Sequence, residues 1–553
     1  MTTISSAGSI PGAGTGFLDK ERTIATAGFN RWLVPPAALC IHLCIGMAYG
    51  FSVFWLPLSR ALGVDAPRAC APETSVWTYL FTSRCDWPVS MLGWTYTLFF
   101  VVLGLSAALF GHWLETAGPR KAGVVSALCW SGGLLLGALG VHLHQLWLLW
   151  LGCGVVGGLG LGLGYISPVS TLVKWFPDRR GMATGLAIMG FGGGAMIGSP
   201  LADRLMRHFA TADSVGVAPT LATMAVIYLV AMLLGAFGYR VPRAGWTPEG
   251  WVPPARTAAL TTTRHVNVAR VFGVPQFWLL WAVLCLNVSA GIGVLGMASP
   301  MLQEVFGGRL LGGSEALAQL AAGPRAQVAT IAAAFAGLLS LFNIFGRIFW
   351  ASFSDVIGRK ATYCVFFLLG IVLYAIAPWA GGAGHVALFV AIFCVILTMY
   401  GGGFATIPAY LADLFGTQHV GAIHGRLLTA WSAAGILGPV VVNYIREHQL
   451  ARGLPPDQAY NATMYILASF LLAGLVCNLL VRPVAERHFM SETELAAERA
   501  RAHEAQASAS GDPSAAQRGN ALAVAAAWLA VALPLLWGIW MTVTKALPLF
   551  RAG

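Results

Sequence analysis

Along this chain, long apolar runs alternate with short charged or Pro/Gly-rich stretches from about residue 33 to residue 547. Each run reaches about 18 residues or more, the length at which a helix rising about 1.5 Å per residue crosses a hydrocarbon core of about 30 Å. The pattern predicts helices near 33–62, 88–110, 122–141, 146–173, 181–202, 219–240, 275–299, 326–353, 361–380, 385–411, 421–445 and 460–481. A thirteenth apolar run, 521–547, follows a polar Ala/Glu/Arg-rich segment. That segment opens on Ser491-Glu492-Thr493-Glu494, a capping box that predicts a solvated helix.

The chain also repeats itself. Shifted by 240 residues, Pro35 falls on Pro275, Glu115 on Asp355, Gly118 on Gly358, Gly162 on Gly402, Pro168 on Pro408, Gly185 on Gly425 and Gly198 on Gly438. Two six-helix halves of the same topology follow, an arrangement that rocks around a central site. The expected fold class is all-α integral membrane, with one extra C-terminal helix. The expected divisions are a tail (1–31), a first half (32–240), a linker (241–274), a second half (275–481), a polar segment (482–519) and the extra helix (520–548).

Composition removes the alternatives. Hydrophobic residues make up 57%, charged residues 10%, and mean hydropathy is +0.72, which excludes an ordinary soluble domain. Lys and Arg are biased, roughly twenty to eleven, toward the loops that face the cytoplasm if the N-terminus is inside. The net charge of +11 therefore reports topology. No single basic face for nucleic acid emerges, because the charges are spread over many short loops. Residues 1–31 are polar and lead directly into a full-length span, without a cleavable leader. A multi-pass protein of the bacterial inner membrane is expected, N-terminus cytoplasmic and, if the thirteenth run crosses, C-terminus periplasmic. Eight cysteines fall singly within spans; Cys70 and Cys85 share the long outer loop 63–87, where a disulfide is expected.

Within this apolar background, Arg347 stands about eight residues inside a span, roughly 12 Å below Asp355. A cation at that depth costs at least about 2.5 kcal/mol on insertion scales, and no Asp or Glu lies mid-span to offset it. The repeat breaks here, since the offset partner of Arg347 is Ala107 and that of Asn343 is Leu103. Asn343, four residues earlier, shares its helix face. A guanidinium fork beside an amide suits a carboxylate and its neighbouring oxygen. His42 is the mid-span candidate for a coupling proton. The paired loops Glu115-Thr116-Ala117-Gly118-Pro119-Arg120-Lys121 and Asp355-Val356-Ile357-Gly358-Arg359-Lys360 place an acid, a glycine and two bases at matching helix ends, a charge cluster able to gate one side. Gly158, Gly160, Gly162 and Gly164 lack the βαβ context of a dinucleotide loop and read as helix packing. No catalytic triad, HExxH or metal-spaced Cys/His cluster is present, so neither an enzyme, a cofactor nor a metal is expected.

The doubled loop resembles the signature of the major facilitator superfamily. More specific runs resemble its oxalate:formate antiporter family over about residues 31–482. They are Arg31-Trp32-Leu33-Val34-Pro35-Pro36, Tyr165-Ile166-Ser167-Pro168 with Lys174-Trp175-Phe176-Pro177-Asp178-Arg179-Arg180-Gly181, Leu341 to Arg347, Ala412-Asp413-Leu414-Phe415-Gly416, and His424 to Trp431. The resemblance implies a carrier of small carboxylates such as oxalate, formate, lactate or pyruvate, working by exchange or symport with a counter-anion or proton in a lipid bilayer. It also implies that Tyr165, Tyr400 and Phe404 line the cavity around Arg347. Trp431 departs from the pattern, standing where oxalate exchangers carry a Lys. One cation matched to one carboxylate favours a monocarboxylate, because a second buried negative charge would lack a partner. Oxalate:formate exchange is the alternative reading, and a non-transporting carboxylate sensor on the same scaffold the second.

Overall fold

The computed structural model describes residues 16–26, 28–63, 68, 70–71, 74–81, 84–243, 245–251, 260–507 and 521–546. Among them are thirteen helices long and apolar enough to cross a bilayer, and no strand beyond isolated bridges. They are α1 (Val34–Ile45, tightening into a 3-10 helix over Gly46–Phe54), α2 (Val89–Ala117), α3 (Pro119–His142), α4 (Leu146–Trp175), α5 (Arg180–Phe209), α6 (Val217–Gly238), α7 (Pro275–Phe306), α8 (Ala322–Ile357), α9 (Arg359–Gly382), α10 (Val386–Phe415), α11 (Val420–Ala451, interrupted at Leu428), α12 (Asn461–Leu480) and α13 (Ala521–Ala546).

The internal repeat is visible in the backbone. α2 and α8 both stop at a glycine with φ near +86° (Gly118 at 86°, Gly358 at 87°), and the next helix starts at once. A side chain would be strained at either position, so the glycines are required by the turn. The two seams between the halves mirror each other: α5 packs on α8, and α2 packs on α11. At one seam a Cβ on Gly185 would lie 2.6 Å from the Arg347 carbonyl; at the other, a Cβ on Gly425 would lie 2.2 Å from that of Ala107. These are the same contact 240 residues apart. Small residues hold it because lipid offers no hydrophobic drive for helix association, leaving close backbone approach to do so. Gly160 against Trp130 and Gly162 against Ser106 make α4 a packing helix by the same rule.

Two faces differ in chemistry. On the basic face, the tail residue Lys20 donates from Nζ to the Glu115 carbonyl (2.7 Å), and Arg31 pairs with Asp178 (2.7 Å). Burial, then the neighbouring Lys174 charge, hold the Lys20 ammonium below its ordinary range. Glu492–Ala507 forms a helix whose capping box closes reciprocally, Ser491 N–H to Glu494 and Glu494 N–H to the Ser491 hydroxyl. It is docked as well as solvated: Glu494 pairs with Arg270 (2.6 Å), and the Glu498 carboxylate lies 3.2 Å from His419 Nε2. On the opposite face a disulfide joins Cys70 and Cys85, and the expected loop also carries a short helix, Val76–Phe81. His144 stacks on Trp87 at 4.1 Å and bonds the Cys85 carbonyl (2.8 Å), tying the disulfide loop to the α3–α4 turn.

α13 lies across the α5/α8 seam. It starts near the basic face, where Trp528 donates to the Trp32 carbonyl (3.1 Å), and reaches the other side, where Trp537 sits over Arg204 (5.1 Å). Leu535 fills the space beside Gly193, and Thr542 that beside Gly337.

Candidate functional site

The centre of the molecule is built around the side chain that the membrane least tolerates. Arg347 is fully buried, where α8 meets α5 and α10. Its Nε donates to the Asn343 amide oxygen at 2.9 Å and its Nη1 to the Ile188 carbonyl at 2.8 Å. Nη2 has no hydrogen-bond partner of good geometry, although the Tyr49 hydroxyl also addresses the guanidinium, and among the described residues the guanidinium forms no ion pair. The fork is thus oriented on one edge and free at one nitrogen. Close packing makes this possible: Gly192 leaves room for the guanidinium, since a Cβ there would lie 3.4 Å from Nε, and a Cβ on Gly401 would lie 2.6 Å from the Asn343 amide oxygen.

Aromatic rings complete the enclosure. Phe191 and Phe404 flank the guanidinium at 5.8 and 5.7 Å, within cation–π range. Trp431 packs 4.4 Å from Phe404 and 5.3 Å from Phe191 and Tyr165. The Tyr165 hydroxyl and the Trp431 indole nitrogen are buried without hydrogen-bond partners. Across the two halves, the Tyr49 hydroxyl meets that of Tyr400 at 3.1 Å. The structure therefore brings Arg347, Asn343, Tyr165, Phe404 and Trp431 together directly and adds Tyr400 through Tyr49. Asn343 holds the guanidinium through its amide oxygen.

Two members of the cluster were missed by sequence reasoning. Tyr49 lies seven residues after His42, two turns along the same helix face, and that spacing could have found it. Phe191 is the one large side chain in the run Gly190 to Gly194, an exception that packing glycines alone do not explain.

His42 is fully buried on α1 near this cluster, its ring 5.4 Å from that of Tyr165. Nδ1 meets the Ala187 carbonyl and Nε2 the Tyr165 carbonyl at 3.2 Å.

The gate residues fall into a different arrangement from the simple acid-plus-two-bases cluster. Asp355 accepts from the backbone N–H groups of Gly181 (2.9 Å) and Met182 (3.0 Å), capping the start of α5 in the other half, and from Arg359 (2.6 Å). Asp413 receives both Arg359 (3.2 Å) and Arg180 (3.0 Å), the latter from the opposite half, and Thr184 donates to the Ala405 carbonyl (2.7 Å). Glu115 pairs with Lys174 (2.5 Å) and faces Gly421. The remaining bases point away. The turn at each glycine sends the following residues up the next helix, so Arg120 caps the tail at Phe17 (3.1 Å), Lys121 approaches Asp19 (3.9 Å), and Lys360 donates to the Leu479 and Val481 carbonyls at the end of α12 (2.8 and 2.7 Å). Arg180 and Asp413, the pair that joins the halves, lie in the sequence runs that carried the family resemblance but had no role assigned.

A closed basic face, an occluded cationic centre and two repeated halves can be compared with known proteins. The family model described as Major Facilitator Superfamily matches residues 37–439 and 323–553. The chain is 27% identical over 474 residues to the oxalate:formate antiporter of Oxalobacter formigenes, covering 84% of this chain and 96% of that one. It is 25% identical over 480 residues to apicoplast pyruvate carrier 1 of Toxoplasma gondii, 74% and 83% covered, and 20% identical over 443 residues to monocarboxylate transporter 14 of Mus musculus, 71% and 82% covered. Among solved structures, the fold resembles a proton:xylose symporter (TM-score 0.56, 15% identity, 84% and 98% covered) and the Escherichia coli fucose:proton symporter (TM-score 0.54, 14% identity, 81% and 99% covered). Transporters, rather than enzymes, share this sequence and fold, and the chain belongs to the major facilitator superfamily.

Proposed function

We propose that the protein carries small monocarboxylates of the formate, lactate or pyruvate type across the membrane by alternating access, with Arg347 binding the carboxylate. The observation that carries this reading is a fully buried guanidinium with one free nitrogen and no acidic partner among the described residues. An uncompensated buried charge is costly, and an arriving carboxylate supplies both the missing charge and the missing acceptor. Relatives named for oxalate:formate antiport, pyruvate and monocarboxylate transport support a small organic anion. The Trp431 wall around one cation supports a monoanion, because a dianion would bring a second charge to rings that cannot neutralise it.

Counterflow uptake into proteoliposomes tests the assignment. Labelled formate, lactate or pyruvate is expected to exchange, with mutual competition, while oxalate competes at least tenfold more weakly. Trp431→Lys is expected to narrow that gap. Tight oxalate exchange by the unmodified protein would instead establish the oxalate:formate reading.

In this reading the basic face is cytoplasmic in a bacterial inner membrane, as the Lys and Arg bias requires. α13 then carries the C-terminus to the periplasm. Alkaline phosphatase, active only outside the cytoplasm, is expected to work when fused after Gly553 and to fail when fused at residue 515. The reverse pattern would invert the topology.

A further inference from the structure

The closed basic face has two walls that the internal repeat relates, and they are finished differently. On α5, Thr184 donates to the Ala405 carbonyl of α10 (2.7 Å), a bond between the halves. Shifted by 240 residues, the same two positions are His424 on α11 and Tyr165 on α4. Here too the residues meet across the halves, with their rings 6.0 Å apart. No bond closes this contact. The Tyr165 carbonyl is met by His42 Nε2 (3.2 Å) instead, and neither ring nitrogen of His424 has a hydrogen-bond partner.

Unpaired donors gather on this second wall. His424 is 1% exposed and Tyr165 and Trp431 not at all, and the Tyr165 hydroxyl and the Trp431 indole nitrogen are unpartnered as well. The Tyr165 ring joins the other two, 6.0 Å from His424 and 5.3 Å from Trp431. Polar groups buried in this way are costly unless something supplies the missing partner. Their chemistry says what that partner is. An indole N–H, a phenol O–H and a neutral imidazole N–H each donate once, and all are uncharged. Such a set suits the acceptor oxygens of a carboxylate that has left water behind.

His424 stands between the central cation and the closed gate. α11 begins at the basic face with Val420, and Gly421 there faces Glu115. His424 is one turn in from that end, and Trp431 is two turns deeper, about 10 Å. A substrate released by Arg347 toward the basic face therefore passes Trp431 and Tyr165 first and His424 next. We propose that His424, with the Tyr165 hydroxyl, forms a second anion-binding step on the basic-face side of Arg347, which holds the departing carboxylate before release and meets an arriving one first. This rests on the carboxylate reading of Arg347.

The step is occupied in sequence with Arg347 and not alongside it. One negative charge is handed from the guanidinium to neutral donors, so the match of one cation to a monoanion is kept. Neutral donors hold a carboxylate less tightly than a guanidinium does, so the step lets the anion leave instead of trapping it. Thr184, the repeat counterpart, commits its hydroxyl to Ala405 and offers no such donor. From the opposite face, an anion reaches Arg347 without passing His424. The two directions of entry are therefore unequal: losing the His424 donor weakens capture from the basic face alone.

The test uses membrane vesicles of the full-length protein in both orientations, right-side-out and inside-out, so that labelled lactate or formate meets one face or the other. Counterflow then gives KM and kcat for each face. His424→Phe keeps a ring and loses the donor. It is expected to raise KM at the basic face about tenfold and to leave KM at the opposite face within about twofold. His424→Asn restores an N–H donor and is expected to bring the basic-face KM back to within about threefold of the unmodified protein. His424→Leu, also without a donor, replaces the Phe variant if thermal unfolding in detergent shows that the latter does not fold. Equal KM shifts at both faces, no shift at either, or an Asn variant as impaired as the non-donating one would overturn the proposal, because the ring would then act through packing. If the unmodified protein shows no counterflow of any carboxylate from either face, the assignment of Arg347 itself fails and this one falls with it.

Discussion

Arg347→Lys is expected to reduce carboxylate counterflow about a hundredfold although the charge is kept. The guanidinium makes two bonds before any substrate arrives, Nε to Asn343 and Nη1 to Ile188, and these fix the plane in which Nη2 remains free. An ammonium is a point charge on a flexible stem and cannot satisfy both acceptors while presenting a planar fork to a carboxylate. Breaking a buried, hydrogen-bonded charge pair typically costs about 3 kcal/mol or more, or about two powers of ten. Asn343→Ala is expected to cost less, about tenfold, since it removes the bond that orients the fork but leaves the fork in place. Uptake rates, normalised to folded protein by thermal unfolding in detergent, measure both. A Lys variant that transports at the unmodified rate would reduce Arg347 to a structural role.

Asp355→Asn is expected to open the basic face. In the closed structure the Asp355 carboxylate caps two N–H groups at the start of α5, which belongs to the other half, and also holds Arg359. A negative charge at a helix N-terminus contributes up to about 2 kcal/mol in partly buried geometry, and the partly exposed Arg359 pair adds about 1 kcal/mol or less. A loss of about 1.5 kcal/mol shifts a two-state equilibrium about tenfold. The measurement is the labelling rate of a cysteine introduced by Ala351→Cys, a position fully buried beside Gly181. A membrane-impermeant maleimide applied to the basic face is expected to react about ten times faster in the Asp355→Asn background. Equal rates would assign closure to Arg180–Asp413 alone.

How far the sequence led differs between the site and its frame. Arg347 was legible because charge in an apolar span is improbable on energetic grounds alone, and the broken repeat at Ala107 marked it a second time. The membrane helices were legible for the same reason, except at their ends. α8 starts at Ala322 and α11 continues to Ala451, both beyond the apolar windows, because helices that leave the bilayer core no longer need apolar residues. What hydropathy cannot show is which side chains meet across the halves. Tyr49 and Tyr400 are 351 positions apart and touch only because α1 and α10 face one another. Arg120, Lys121 and Lys360 show the converse limit. They adjoin the gate acids in sequence, but the left-handed turn at each glycine directs them to the tail and to α12.

The helix that completes no repeat has a mechanical consequence. A carrier that alternates between openings must spread each of its two seams in turn. At α2/α11 the surrounding acyl chains can flow into the widening wedge and out again. At α5/α8 the wedge is already occupied by α13, whose Leu535 and Thr542 sit against Gly193 and Gly337. That helix follows in sequence the Glu492–Ala507 helix, which the Arg270–Glu494 pair holds to the basic face. The two flanks of the carrier are therefore unequal springs. Bilayer fluidity and thickness act directly on one of them, while the stiffness of the other is written into the polypeptide.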